Sequence, residues 1–281
     1  MREYDLAFSL GFACACSQSL RDNGIQTASF PFDWTVTTGL LKSVEMIERD
    51  FSGWFAREDL VLWDVRIAGG HVSRVYRSRR DGFVFAHDFT NAEPIERFYE
   101  VAKARYDRRV ARLMERLRTS KRTLAVYVEH PANGRLSDSD LVAVRERLAA
   151  KFPESQLDLL YFHEDPDCRA FEATEVAAGV TAVRAEYRTH LNGEIMHVCD
   201  VTMFREYLRR NVTVPDRRSF GQIRTFEEET RRKRRELFGK GWLENLVNRK
   251  LHRLYRNIEL YLESQHLVPG DRPLRCDGSG K

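Results

Sequence analysis

The stretch from Leu124 to Phe162 constrains the fold more than any other part of this chain. Leu124-Ala125-Val126-Tyr127-Val128 is an unbroken apolar run of strand length. Ser137-Asp138-Ser139-Asp140 then offers side-chain oxygens to the unpaired N–H groups that open a helix. The apolar spacing predicts that helix over Leu141–Phe152, and Pro153 ends it. Leu157-Asp158-Leu159-Leu160-Tyr161-Phe162 reads as a second strand, and Thr181–Ala185 as a further one. Strand, helix and strand in succession make a βαβ unit with parallel strands and a right-handed crossover. The expected class is α/β, with a parallel-sheet βαβ core (a Rossmann-like sandwich), an aromatic-rich N-terminal part and a helical C-terminal extension.

The flanks read differently. The first third is loop and strand material dense in aromatic residues, from Phe30 and Phe32 through Trp54 and Trp63 to Phe89, with a short helix over Leu40–Arg49. From Pro94 to Arg118 apolar residues recur three and four apart, which predicts an amphipathic helix. Helical patterns return at Phe204–Arg209, Thr225–Phe238 and Trp242–Leu262, and the tail from Pro269 is rich in Gly, Pro, Asp and Ser. Residues 1–200 are therefore expected to form the α/β domain with the candidate site, 201–268 a basic helical extension packed on it, and 269–281 a flexible tail.

Composition narrows the function classes. No apolar run approaches the ~20 residues that cross a bilayer, and the first residues lack a secretory signal, so no transmembrane segment and a cytoplasmic location are expected. The five cysteines (Cys14, Cys16, Cys168, Cys199, Cys276) are odd in number and lack paired CxxC knuckles, which argues against a disulfide framework or structural zinc. No phosphate-binding glycine loop, GxSxG elbow or HExxH motif occurs, so neither cofactor nor metal is expected. Basic residues cluster at Arg217-Arg218, Arg231–Arg235 and Lys250–Arg253, a surface suited to a phosphate or an anionic glycan. Interleaved Glu227–Glu229, Glu236 and Glu244 favour a solvated helix face over such a surface, and without an aromatic ladder no nucleic-acid partner is expected.

Chemistry concentrates near the start. An apolar run ending at Leu10 precedes Gly11, then Phe12-Ala13-Cys14-Ala15-Cys16 and a helix-forming stretch. That order puts a thiol near a helix N-terminus, whose partial positive charge favours thiolate. The alternative is that Cys14 and Cys16 simply fill a buried turn. His87 closes a strand-like run and is the candidate base; neighbouring Asp88 points to the opposite side if the strand is regular. Asp33, between Phe32 and Trp34, is an acid in an apolar setting. His130 and His163 end the two strands of the βαβ unit. The segment His163–Cys168 and the group His190, His197, Cys199 and Asp200 hold metal-ligand types, but at spacings that match no metal motif.

Taken together, Ser9-Leu10-Gly11-x-x-Cys14, Leu20-Arg21, Ser29-Phe30-Pro31-Phe32-Asp33-Trp34 and His87-Asp88-Phe89 resemble a bacterial family described as papain-like cysteine peptidases. The resemblance extends over roughly the first two hundred residues. It implies a cysteine-dependent hydrolase or acyl-transfer enzyme acting on a peptide or other acyl substrate. Cys14 would be the nucleophile, His87 the general base, and Asp88 or Asp33 the acidic partner. N–H groups after Gly11 would hold the oxyanion, and Gly11, Phe12, Phe32 and Trp34 would line the substrate site. The parallel βαβ pattern departs from papain, which joins a helical lobe to an antiparallel one. The other expectations are a non-catalytic or transferase protein that binds an anionic or sugar ligand through the basic C-terminal helices, and a metal-dependent enzyme built on the later histidines.

Overall fold

A computed structural model of the chain describes residues 2–68, 71–90, 95–130, 133–165, 167–168, 171–185 and 202–215. Strand β1 (Arg2–Glu3) leads to the fully buried β2 (Leu6–Gly11), then α1 (Cys14–Asp22), a 3₁₀ turn at Pro31–Trp34, β3 (Thr35–Val36) and α2 (Leu40–Glu48). The strands β4 (Leu60–Ala68), β5 (His71–Ser78) and β6 (Val84–Thr90) precede the 25-residue α3 (Ile95–Thr119). Then come β7 (Arg122–Val128), α4 (Asp138–Lys151), β8 (Gln156–Glu164), β9 (Glu172–Ala177), β10 (Val180–Ala185), α5 (Thr202–Asn211) and β11 (Val212–Thr213).

The fold is mixed α/β, and its core sheet has the order β2-β7-β8-β10-β9. β2, β7, β8 and β10 are parallel, with β9 antiparallel to β10. The strand–helix–strand unit is present as its sequence predicts. Ser137 is the N-cap of α4, its Oγ accepting from the Asp140 N–H at 3.1 Å. Burial on both faces explains the unbroken apolar runs: six of the seven residues of β7 are buried. Leu141, Val144 and Leu148 turn the apolar stripe of α4 inward, and α4 packs on β8 and α2. On the opposite face, Phe204 and Tyr207 of α5 meet the Phe162 ring of β8, and α5 packs on α1.

The aromatic-rich segment forms a second sheet, of order β3-β6-β5-β4 and antiparallel throughout. Its apolar face is a ring cluster: Phe55 lies 4.7 Å from Phe85 and 4.6 Å from Tyr106 of α3, and Trp54 lies 4.9 Å from Phe83. Such edge-on and offset aromatic pairs add to the burial of their area. β6 is irregular. Between the pairs Tyr76↔Phe85 and Arg74↔Phe89, β5 advances two residues while β6 advances four, so Ala86–Asp88 bulge.

Among the described residues no helix is long and apolar enough to cross a membrane. The expected helices at Thr225–Phe238 and Trp242–Leu262, the expected flexible tail and the basic clusters from Arg217 onward lie outside the described residues.

Candidate functional site

The site begins where β2 runs out. Gly11 has φ +111, and a Cβ there would come within 2.6 Å of Thr37 Oγ1, so the position requires glycine. The Gly11–Phe12 peptide is cis. Phe12 N–H donates to the Val128 carbonyl at 3.1 Å, and the Phe12 carbonyl accepts from Thr37 N–H at 2.7 Å. The turn is thereby fixed to β7 on one side and to Thr37 on the other. The first N–H after Gly11 is thus engaged by β7.

Cys14 is the first residue of α1 and is half-buried. The N-cap, Ala13, has an extended backbone and no side-chain cap, and the first turn holds no acidic residue. The positive end of the helix is therefore not neutralised by its own side chains, a setting that favours thiolate. Cys16 contrasts with it. It is 1% exposed, its thiol donates to the Val126 carbonyl at 3.4 Å, and burial pushes that thiol up to about 12. Cys16 is a packing residue of the α1–β7 contact.

The 3₁₀ turn joins this helix to the second sheet. Ser17 Oγ lies 3.1 Å from the Cys14 carbonyl and 2.6 Å from that of Asp33. Seven residues after Cys14, the Arg21 guanidinium sits 5.1 Å over the Trp34 ring. Trp34 also meets His87, edge-on at 5.8 Å. Trp34 thus lies between the helix that begins with Cys14 and the strand that carries His87. His87 itself is exposed at the β6 bulge.

Both acids of the motifs face inward. Asp88 accepts from Tyr106 Oη at 2.7 Å and contacts Arg105 at 3.4 Å, on the α3 side of β6. Asp33 is fully buried; one carboxylate oxygen accepts from Phe30 N–H at 2.7 Å and from Gln26 Nε2 at 2.5 Å, closing the turn. Burial raises its pKa to about 6, against the lowering effect of the Phe30 N–H and of Arg109. Of the expected substrate-site residues, Trp34 is half-buried, whereas Gly11 and Phe12 are buried and Phe32 is 0% exposed, packed on Phe51, Trp54 and Phe83.

The later histidines lie elsewhere. His130 meets the Phe12 ring edge-on at 4.8 Å. The neighbouring Glu129, raised by burial, accepts from His130 N–H, Asn133 Nδ2 and Tyr161 Oη, which fixes the loop after β7. His163 is lowered by burial and stacks on Tyr161 at 5.9 Å. In its polar turn Asp165 pairs with Arg184 at 3.0 Å and the Cys168 thiol faces the Arg184 carbonyl at 3.6 Å, so the turn is held by β10. Among the described residues no cluster of His, Cys, Asp and Glu could hold a metal ion, and His190, His197, Cys199 and Asp200 lie outside them.

Sequence reasoning gave Ser17 and Tyr106 no place beside the candidate site and quoted Arg21 only within the family motifs. Arg21 had a usable signal, since a spacing of seven puts it on the same helix face as Cys14. Tyr106 reads as part of the amphipathic helix, but its pairing with Asp88 had no signal because it depends on the bulge.

No curated protein and no solved structure matches this chain. Residues 5–151, more than half of the 281, match the family described as "Putative papain-like cysteine peptidase", and the chain belongs to that family.

Proposed function

We propose that the chain is a cysteine-dependent hydrolase in which Cys14 is the nucleophile and His87 the general base. One observation carries this reading: an uncapped helix N-terminus bears a half-buried thiol, and Trp34 connects that helix to an imidazole pushed outward by a strand bulge. The open parallel sheet, read as a Rossmann-like sandwich, supports it, because such folds take ligands outside the carboxyl ends of their strands.

In the proposed mechanism His87 takes the Cys14 proton and the thiolate attacks the carbonyl carbon of a peptide or related acyl substrate. The oxyanion is met by backbone N–H groups of the first turn of α1. The imidazolium returns its proton to the leaving amine as the C–N bond breaks, leaving a thioester on Cys14. Water, deprotonated by His87, then hydrolyses the thioester and restores the thiol. Asp33 and Asp88 act as positioning residues, the first by closing the turn under Trp34 and the second by anchoring the bulge to Tyr106. Trp34 supports the imidazole, and Phe32 fixes the 3₁₀ turn that carries Trp34 to the core.

Alkylation by iodoacetamide at neutral pH, mapped by mass spectrometry, tests the assignment. Cys14 should react faster than Cys168 and Cys276, and His87→Ala should move the pH midpoint of its reaction upward. Equal reactivity of the three thiols would sink the nucleophile assignment.

A further inference from the structure

Under the 3₁₀ turn three buried polar atoms have no hydrogen-bond partner among the described residues: Asp33 Oδ1, Gln26 Oε1 and Arg109 Nη1. They belong to one neighbourhood. Gln26 Nε2 already bonds the other oxygen of Asp33 at 2.5 Å, and the Arg109 charge acts on the Asp33 carboxylate. The Arg109 guanidinium lies over the Tyr106 ring at 5.1 Å, on the side of α3 that faces the turn. An unmade hydrogen bond in the interior costs roughly 1–3 kcal/mol, so three in one place call for a shared partner.

Rearranging the side chains does not supply one. A direct Arg109–Asp33 pair would satisfy two atoms and leave Gln26 Oε1 without a donor. Flipping the Gln26 amide would turn Nε2 away from both Asp33 Oδ2 and the Ala28 carbonyl at 2.8 Å, breaking two bonds to form one. The missing partner must offer two donors and one acceptor. A metal cation has no donors and would face a guanidinium; an anion would face a carboxylate. Water has the required set, and three hydrogen bonds is the usual number for a buried water.

We propose that Asp33, Gln26 and Arg109 enclose a site for a single buried water molecule that ties α3 to the Phe30–Trp34 turn. The water donates to Asp33 Oδ1 and Gln26 Oε1 and accepts from Arg109 Nη1. Through it Arg109 becomes a positioning residue for Trp34, and so for the ring of His87 that Trp34 touches. The site stands whether or not Cys14 is a nucleophile.

A high-resolution crystal structure of the full chain tests the proposal directly. One ordered water within hydrogen-bond distance of all three atoms is expected; Arg109 bonded directly to Asp33 with no water between them would overturn it. Titration of the Asp33 carboxyl by NMR gives the solution test. In Arg109→Met the midpoint should rise by about one unit or more, because the relayed cation is lost. In Arg109→Lys, whose ammonium can still donate to the water, it should stay near the wild-type value. Identical midpoints in the two variants would overturn the relay.

Discussion

Cys14 and Cys16 are two residues apart on one helix, yet their surroundings give them opposite chemistry. Cys14 stands half-buried at an uncapped helix start, while Cys16 is sealed against β7 with its thiol raised to about 12. Iodoacetamide at pH 7 should therefore modify Cys14 at least roughly tenfold faster than Cys16, whose thiol is both sealed from reagent and held protonated by burial. Cys14→Ala should remove the fast phase and leave the slow one; a fast phase that survives would move the reactive thiol elsewhere. Asp33 makes a second residue-scale prediction. Burial lifts its pKa from the ordinary 3.8 to about 6, so the folded state holds this proton more tightly than the unfolded state. The stabilisation is complete below about pH 4 and is lost as pH rises through about 6. Asp33→Asn does not titrate. The melting temperature of the wild type relative to this variant should thus fall between pH 4 and pH 7, by the equivalent of ~1–3 kcal/mol. A difference that stays flat with pH would mean that the carboxylate is fully compensated by Arg109 and its hydrogen bonds.

At the scale of single elements, legibility followed regularity. β7, α4 and β8 could be read because apolar runs, a serine cap and a terminating proline are local signals, and burial on both faces of a parallel strand leaves no alternation to misread. The second sheet could not be placed from sequence, because its strands are bulged near Leu62–Asp64 and at Ala86–Asp88. Regular alternation would put His87 on the same face as Phe85 and Phe89, inside the ring cluster; the bulge instead turns His87 outward and Asp88 toward Tyr106. The Cys14 and His87 positions were therefore legible as residue types in motifs, but the placing of the Trp34 ring between Arg21 and His87 was not. Tyr106→Phe checks the role of the bulge: it removes the hydroxyl that serves the nearly buried Asp88 and should cost ~1–3 kcal/mol in chemical denaturation. It should also broaden the His87 ring resonances. Ser137→Ala, at the cap of α4 and remote from the site, should cost about 1 kcal/mol and leave those resonances sharp. Equal spectral effects would separate the bulge from the Asp88–Tyr106 bond.

Across the whole molecule, the candidate site lies where two sheets of different construction meet. The parallel sheet supplies the strand end and helix start that carry Cys14, the antiparallel sheet supplies His87, and the 3₁₀ turn with Trp34 joins them. Such a site depends on how firmly α1 is held from behind, and α5 is the element packed there. Its attachment combines a core contact with a surface one. Phe204 is 0% exposed and meets the Phe162 ring at 4.9 Å, whereas Arg205 pairs with Asp22 with both side chains partly in solvent. The helical pattern around Phe204 was readable in the sequence, but its docking partner some forty residues upstream was not, because a fully apolar strand does not reveal which helix covers which face. Phe204→Ala should open a cavity and cost about 3–5 kcal/mol, whereas Arg205→Ala should cost no more than about 1 kcal/mol after solvent screening. Because α5 backs α1, Phe204→Ala should also raise the alkylation rate of the otherwise sealed Cys16 well below the melting temperature, while Arg205→Ala should not. Loss of stability in Phe204→Ala with Cys16 still protected would mean that α1 is held in place by the sheet and the 3₁₀ turn alone.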